Sequence, residues 1–183
     1  MSSIRVTTTA VLLVVALIPL ASAAAGQEGD SAEATPPDTQ AFSAVLSGSV
    51  SFEPLEAATD ECPLGVRTVT DASGQTTLGE VTLHAEHCPT PGLPSVPAGV
   101  QRLTTADGDE LSGPYFVDCD PVLPSAEAGE AITCVGRFQI AEGTGRFAGA
   151  TGMTHQTAFI WFPGSREAQA WPWVSMLEGV VSY

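Results

Sequence analysis

An alternation of apolar and polar residues with a period of two is the feature that most constrains the fold of this chain. It is clearest between residues 80 and 86, where every second residue is apolar and the others are polar or charged. Successive side chains of a β-strand point to opposite faces, so this pattern predicts a strand with one buried face. Eight runs are predicted as strands, over residues 42–52, 66–71, 78–87, 100–106, 111–119, 131–141, 151–162 and 171–183.

The connections between these runs contain turn-forming residues. Turns are predicted over residues 72–74, 107–109, 142–145 and 163–165. The longer connection over residues 89–99 contains four prolines and is predicted to be an extended loop. No long stretch after residue 40 shows the caps and spacing of an amphipathic helix. Because an antiparallel sheet of this size avoids exposed edges by closing on itself, we expect an all-β domain, a single antiparallel eight-stranded β-barrel, over residues 41–183.

The N-terminal segment resembles a secretory signal peptide. Arg5 supplies a positive charge, residues 10–20 form an apolar run, and Ala21, Ser22 and Ala23 form a cleavage site of small residues. A retained membrane helix is the alternative, but the run is shorter than the roughly 20 apolar residues that a span needs. We therefore expect cleavage near Ala23, secretion to the extracellular space or the periplasm, and no membrane contact afterwards.

Residues 24–40 follow the predicted signal peptide and are rich in small, acidic and proline residues. They lack the aromatic and branched apolar residues that could offset the entropy of ordering a chain. This segment is therefore predicted to be a disordered leader that precedes the barrel.

The charge of the chain argues against nucleic acid as a partner. The formal net charge is −15, all six basic residues are arginines, and removal of Arg5 with the signal peptide would lower the charge to −16. No basic stripe is available to replace the counterions of a phosphate backbone or an anionic lipid surface. The acidic residues are scattered along the sequence, which is typical of a solvating surface.

Four cysteines lie after the predicted cleavage site, at Cys62, Cys88, Cys119 and Cys134. An even number of cysteines in an exported chain predicts two disulfides, and four cysteines allow three pairings. The sequential pairing, Cys62–Cys88 and Cys119–Cys134, is favoured because a turn-rich segment separates Cys119 from Cys134. Redox catalysis is the competing interpretation, but the chain has no C-x-x-C motif.

Four segments of the chain resemble one family of barrel proteins. Residues 143–152 read GTGRFAGATG, and they resemble the strand–turn–strand signature of bacterial secreted proteins related to the allene oxide cyclase and dirigent barrels. The segments TLGEVT, TADGDEL and LEGVVSY, at residues 77–82, 105–111 and 177–183, resemble further strands and hairpins of that family. The resemblance covers most of residues 42–183.

The resemblance implies a calycin-like barrel with a central cavity that takes apolar ligands, and it implies a homo-oligomer, since plant members are often trimers or dimers. The cyclases of this family confine a reactive fatty-acid epoxide with the help of a Glu and a water held by an Asn. The present chain contains no Asn. No catalytic residue is therefore carried over, and the resemblance predicts the fold rather than a reaction.

Three segments resemble cofactor or metal sites in part, but none of them predicts one. Residues 143–152 lack the spacing of a phosphate loop, and the chain has no Lys to reach a phosphate. His84 and His87 would point to opposite faces of a strand, and the only other histidine is His155, which argues against zinc. Residues 107–110 are acidic, but they lack the further ligands of an EF-hand and are typical of a turn. No metal and no cofactor are expected.

Glu80, His84 and Glu86 are weak candidates for catalysis. They share one face of a predicted strand at alternate positions, so their side chains are neighbours. If this face lined the barrel, the three would form an acid–base cluster beside an apolar cavity. We favour the alternative, in which they form the polar, water-facing side of a half-buried strand.

Two aromatic pairs are weak candidates for ligand binding. Phe159 and Trp161 lie on one face of a predicted strand, and Trp171 and Trp173 lie on one face of the next. A hairpin could place the pairs opposite each other as a cross-strand ladder that forms a stacking wall for a ligand. Core packing is the favoured alternative, since eight-stranded barrels are often filled by their own side chains.

Taken together, these patterns predict a secreted, non-catalytic module that binds a small apolar ligand or a partner. An allene oxide cyclase-like or dirigent-like isomerase, which would confine an apolar substrate in the barrel, is the first alternative. A purely structural surface protein is the second. The fold follows from the pattern, whereas the function rests on analogy.

Overall fold

The computed structural model describes residues 38–89, 95–120, 129–165 and 170–183, with the backbone alone for residues 95–98. These residues form nine strands, eight of which make up a barrel. One 3-10 turn, Gly145–Phe147, accompanies the strands, and the described residues include no helix long and apolar enough to cross a membrane. The strands are β1 Thr39–Pro54, β2 Val66–Thr76, β3 Gly79–His87, β4 Ser95–Thr105, β5 Glu110–Asp120, β6 Ala131–Ile140, β7 Glu142–Gly143, β8 Thr151–Trp161 and β9 Ala170–Ser182.

Every pairing between the strands is antiparallel, and the sheet closes on itself. The strands follow the order β4-β3-β2-β1-β9-β8-β6-β5, and a further pairing between β4 and β5 joins the two edges. The two-residue strand β7 adds to β5 at one rim of the barrel. The predicted all-β, eight-stranded antiparallel barrel is therefore confirmed, with β7 as a small addition.

The barrel interior contains the apolar face of each strand. In β3 the buried residues are Val81, Leu83 and Ala85, and the residues between them are exposed or half-buried, as the alternation predicts. Other strands contribute in the same way, and the fully buried large side chains include Leu46, Leu103, Leu111, Phe138, Ile140, Leu177 and Val181. These side chains form one continuous core.

Both disulfides lie at the end of the barrel where β1, β3, β5 and β8 finish, which we call the disulfide end. Cys119 and Cys134 are directly opposite each other on β5 and β6, with Cα atoms 4.0 Å apart. Cys62, in the connection between β1 and β2, bonds to Cys88 just after β3, with a Cα–Cα distance of 4.9 Å. The predicted sequential pairing is confirmed.

The glycine-rich segment of residues 143–152 covers the opposite end, which we call the plug end. Phe147 is 1% exposed there, and its ring packs edge-on against Tyr183 with ring centres 5.0 Å apart. The Arg146 guanidinium lies 4.7 Å from the centre of the Phe147 ring and donates a hydrogen bond to the Leu78 carbonyl oxygen at 3.0 Å. Asp109 pairs with the same guanidinium at 3.5 Å. The segment is thus a turn that anchors an aromatic plug.

Three predicted boundaries are wrong. Residues 72–74 continue β2 instead of forming a turn, because Gly74 pairs with Leu46 and lets the two strands approach closely. A Cβ atom at Gly74 would lie 2.0 Å from the Val45 carbonyl oxygen. Residues 95–99 belong to β4 rather than to a loop, with a register shift between Val96 and Gly99.

The third boundary concerns the predicted leader over residues 24–40. Its last residues, Thr39 and Gln40, pair with Ser182 and Val181 of β9 and so begin the barrel. The hydroxyl groups of Thr39 and Ser182 are also hydrogen-bonded, at 2.7 Å. The rest of the leader and the predicted signal peptide over residues 1–23 lie outside the described residues.

Candidate binding site inside the barrel

His87 and Tyr115 form a hydrogen-bonded pair inside the barrel, near the disulfide end. His87 is the last residue of β3 and continues the inward-facing series of that strand. Its Nδ1 atom lies 2.5 Å from the Tyr115 hydroxyl oxygen, and the two rings meet edge-on. Gly99 of β4 makes this contact possible, since a Cβ atom there would lie 2.2 Å from a ring carbon of Tyr115.

Burial keeps both members of this pair neutral. Desolvation lowers the pKa of His87 from 6.5 to about 4, so its imidazole is uncharged at neutral pH. Desolvation, together with the nearby Glu86 carboxylate, raises the pKa of Tyr115 above its ordinary value of 10.0, so its hydroxyl stays protonated. The pair therefore offers neutral hydrogen-bonding groups to the interior, without a charge.

Three buried polar atoms have no hydrogen-bond partner among the described residues. They are Nε2 of Gln101, Oε1 of Gln156 and Nε1 of Trp171, on side chains whose residues are 1%, 4% and 2% exposed. Other buried polar side chains are paired: the Ser175 and Thr154 hydroxyls donate to backbone carbonyl oxygens at 3.2 and 3.4 Å. The interior thus contains a small number of polar groups that the barrel itself leaves unpaired.

An aromatic cluster lies at the disulfide end of the barrel, where the buried Trp171 contacts the more exposed Phe52 and Phe162. The Trp171 ring packs edge-on between Phe52 and Phe162, with ring centres 4.8 and 5.1 Å away. Trp173 lies on the same inward face of β9 and is also buried. The unpaired indole nitrogen of Trp171 therefore lies on a side chain that contacts two other aromatic rings.

The cross-strand aromatic ladder, the less favoured alternative to core packing, does not form. The register between β8 and β9 pairs Ile160 with Trp173 and Phe159 with Val174. Because alternate residues of a strand face opposite sides, Phe159 and Trp161 lie on the outer face of the barrel, whereas Trp171 and Trp173 lie inside. The outer pair contact each other, with ring centres 6.4 Å apart.

The three catalytic candidates, Glu80, His84 and Glu86, lie on the outer face of β3 and form no cluster inside the barrel. His84 is paired with Asp71 of β2 at 2.8 Å, and Glu86 is paired with Arg67 at 2.9 Å. Both contacts join neighbouring strands on a solvated surface, and the exposed ion pair of Arg67 and Glu86 is of a type that contributes little to stability.

The structure brings no metal ligands together in the part of the chain that it describes. His84 and His87 point to opposite faces of β3, and the described residues contain no group of three or more metal-ligating side chains. The acidic segment at residues 107–110 is a hairpin turn, in which Gly108 has a φ of 88°. Two of its three carboxylates pair with arginines, Asp109 with Arg146 and Glu110 with Arg102.

Sequence reasoning missed four residues that contribute polar groups to the interior: His87, Tyr115, Gln101 and Gln156. A signal for His87 was present, because it follows Val81, Leu83 and Ala85 at alternate positions. Gln101 and Gln156 gave no comparable signal, since a glutamine is usually a surface residue.

No protein-family profile, no curated protein and no solved structure matches this chain. The resemblance to the allene oxide cyclase and dirigent barrels therefore stays a prediction.

Proposed function

We propose that this chain is an exported β-barrel protein that binds a small, mainly apolar molecule inside its barrel without converting it. The observation that carries this proposal is the set of three unpaired polar atoms on Gln101, Gln156 and Trp171. Buried polar groups are almost always hydrogen-bonded, and each one left unpaired costs about 1–3 kcal/mol. A bound molecule with matching polar groups would remove this cost.

The chemistry of the buried side chains favours a neutral molecule. Most of the buried side chains are aliphatic or aromatic, and the buried part of the described chain includes no carboxylate, ammonium or guanidinium group. His87 adds no charge, because its pKa is lowered to about 4. An apolar wall with a few polar groups is the usual composition of a small-molecule site.

Two observations support export. Arg5, the apolar run over residues 10–20 and the small residues Ala21 to Ala23 have the order of a secretory signal peptide. Both disulfides are formed, and disulfides persist mainly in oxidising compartments.

The family resemblance at residues 143–152 supports the binding of an apolar molecule, since the barrels that this segment resembles take apolar ligands.

A cyclase-like or isomerase-like activity is the second candidate, and the pair of His87 and Tyr115 favours it. A neutral imidazole hydrogen-bonded to a protonated phenol could donate to or accept from a confined substrate. Binding alone is preferred, because the described interior contains no buried carboxylate that could act as a stronger base.

Native mass spectrometry of the protein purified from an oxidising secretion host tests this proposal. We expect a co-purifying apolar molecule at a near-stoichiometric ratio, which is then extracted and identified. Ala158→Met places a longer side chain inside the barrel, where Ala158 is buried, and should reduce the bound fraction. Ala170→Met is the matched control at an exposed position and should retain it.

The proposal would be abandoned if no molecule co-purified and no thermal shift appeared across a panel of fatty-acid-derived and terpenoid compounds. The enzymatic candidate would instead be favoured if the purified protein converted the extracted molecule and the His87→Gln variant did not.

A further inference from the structure

The registers of the strands show how steeply the barrel is tilted. A row of paired residues that starts at Phe42 in β1 does not close on itself but returns to β1 at Phe52. The row of paired residues therefore moves by about ten positions along the strands in one circuit of the barrel. From one strand to the next, the residue at the same height along the barrel axis lies a little over one position away from the paired residue. Between these two ends the row contains Gly179, Thr154, Phe138, Tyr115, Gly99, His87 and Thr68. The step from Gly99 to His87 extends by one residue the register in which Val100 pairs with Glu86.

This tilt places Gln101 and Gln156 at about the same height in the barrel. Gln101 pairs with Gly113 on β5. Extending the β5–β6 register by two residues beyond the pair of Tyr115 and Phe138 leads from Gly113 to Ile140, which pairs with Gly152 on β8. β8 is three strands away from β4, and over three strands the tilt amounts to about four residues. The residue of β8 at the same height as Gln101 is therefore Gln156, four positions nearer the disulfide end than Gly152. Since the two strands are three steps apart in a barrel of eight, the side chains extend inward from nearly opposite walls.

The two unpaired atoms are chemically complementary. Gln101 Nε2 is a donor and Gln156 Oε1 is an acceptor. They are not hydrogen-bonded to each other, although a direct bond would satisfy both. One group that accepts from Gln101 and donates to Gln156 would satisfy both atoms at once.

From this arrangement, and resting on the function proposed above, we infer that the ligand is a neutral alcohol whose hydroxyl group is held between Gln101 and Gln156. The hydroxyl oxygen accepts the Nε2 hydrogen of Gln101, and its hydrogen is donated to Oε1 of Gln156. A carboxylate cannot donate and an ammonium group cannot accept, and the described buried side chains include no opposite charge to neutralise either. A ketone or an ether can satisfy Gln101 only.

Titration calorimetry with 1-decanol and 1-methoxynonane tests this inference. The two probes have the same number of heavy atoms, but the ether has no hydrogen to donate. The wild-type protein, stripped of bound molecules, should bind 1-decanol about tenfold more tightly, which corresponds to about 1.4 kcal/mol. Decanoate should bind more weakly than either probe at neutral pH.

Gln156→Met should remove this preference, so that both probes bind with similar affinity, because the acceptor for the hydroxyl hydrogen is lost. Gln101→Met should weaken both probes by a similar factor, since both accept from Nε2. Gln139→Met is the matched control on the exposed outer face of β6 and should keep the tenfold preference. Gln156→Met should melt at or above the wild-type temperature, because it removes an unpaired buried acceptor.

Different results would overturn the hydroxyl inference and the proposed ligand-binding function. Equal binding of the alcohol and the ether by the wild-type protein would overturn the hydroxyl inference and leave the proposed ligand-binding function in place. A preference that survived in Gln156→Met would also overturn it. Absence of binding for all three probes, together with no co-purifying molecule, would overturn both.

Discussion

The Tyr115 hydroxyl reaches Nδ1 of His87, 2.5 Å away, across the backbone of a strand that lies between them. On β4, Val100 pairs with Glu86 of β3 and Gly99 pairs with Tyr115 of β5, so Gly99 is the residue that the contact crosses. Any side chain at this position would occupy the space of the Tyr115 ring. The contact therefore depends on a glycine in a third strand.

Gly99→Ala should destabilise the barrel by about 1–3 kcal/mol, because the new Cβ atom would lie 2.2 Å from the Tyr115 ring. The same substitution in a Tyr115→Leu background should cost clearly less, since the smaller side chain leaves room. Urea denaturation of the four proteins in this double-mutant cycle measures the difference. Equal costs in both backgrounds would show that Gly99 is required for another reason.

The buried imidazole should make the protein sensitive to acid. The pKa of His87 is about 4 in the fold and 6.5 in an exposed histidine, so the unfolded chain takes up a proton first as the pH falls. Stability should therefore be fully present above pH 6.5 and decrease toward pH 4, by about 3 kcal/mol from this residue. Denaturation curves at a series of pH values measure the slope.

His87→Gln should show a smaller loss of stability over the same pH range, because the group that the unfolded chain protonates is absent. The matched control is His155→Gln, on the exposed face of β8, which should keep the wild-type slope. If all three proteins lost stability in parallel, the acid sensitivity would have to come from other groups.

Phe147 should be one of the largest single contributors to the stability of the plug end. Replacing this buried ring by alanine removes its contacts with Tyr183 and Arg146 and should cost about 3–5 kcal/mol. Phe159→Ala, at a half-buried position on the outer face, should cost clearly less. Thermal unfolding compares the two variants, and a similar cost for both would mean that Phe147 does not act as a plug.

The disulfide between Cys119 and Cys134 should stabilise the barrel mainly by restricting the unfolded chain. It links residues 15 positions apart, for which loop-closure entropy predicts about 3 kcal/mol. A Cys119→Ser, Cys134→Ser double variant should show this loss in guanidinium denaturation. Added reductant should cause no further loss from this site, because the variant has no disulfide there. A loss below about 1 kcal/mol would indicate that the two paired strands already restrict this loop.

The strand pattern could be predicted from the sequence because each strand carries its own signal. The alternation around Val81, Leu83 and Ala85 depends on neighbouring residues, and so does the choice of which face is buried. The disulfide pairing followed in the same way, because Cys119 and Cys134 lie on two consecutive predicted strands. Turn-forming residues were a less reliable guide to where strands end. The segment of Ala72, Ser73 and Gly74 was predicted as a turn, but it continues β2 because the neighbouring strand accommodates it.

The sequence by itself thus determined an eight-stranded sheet with alternating apolar and polar faces, and it favoured one of the three possible disulfide pairings. Only the tertiary structure decided the register between strands. That register separated Phe159 from Trp173, placed Gly99 under the Tyr115 ring, and set Gln101 and Gln156 at one height. The physical reason is that register and tilt depend on contacts between strands far apart in the chain, and a shift of one residue would exchange the two faces.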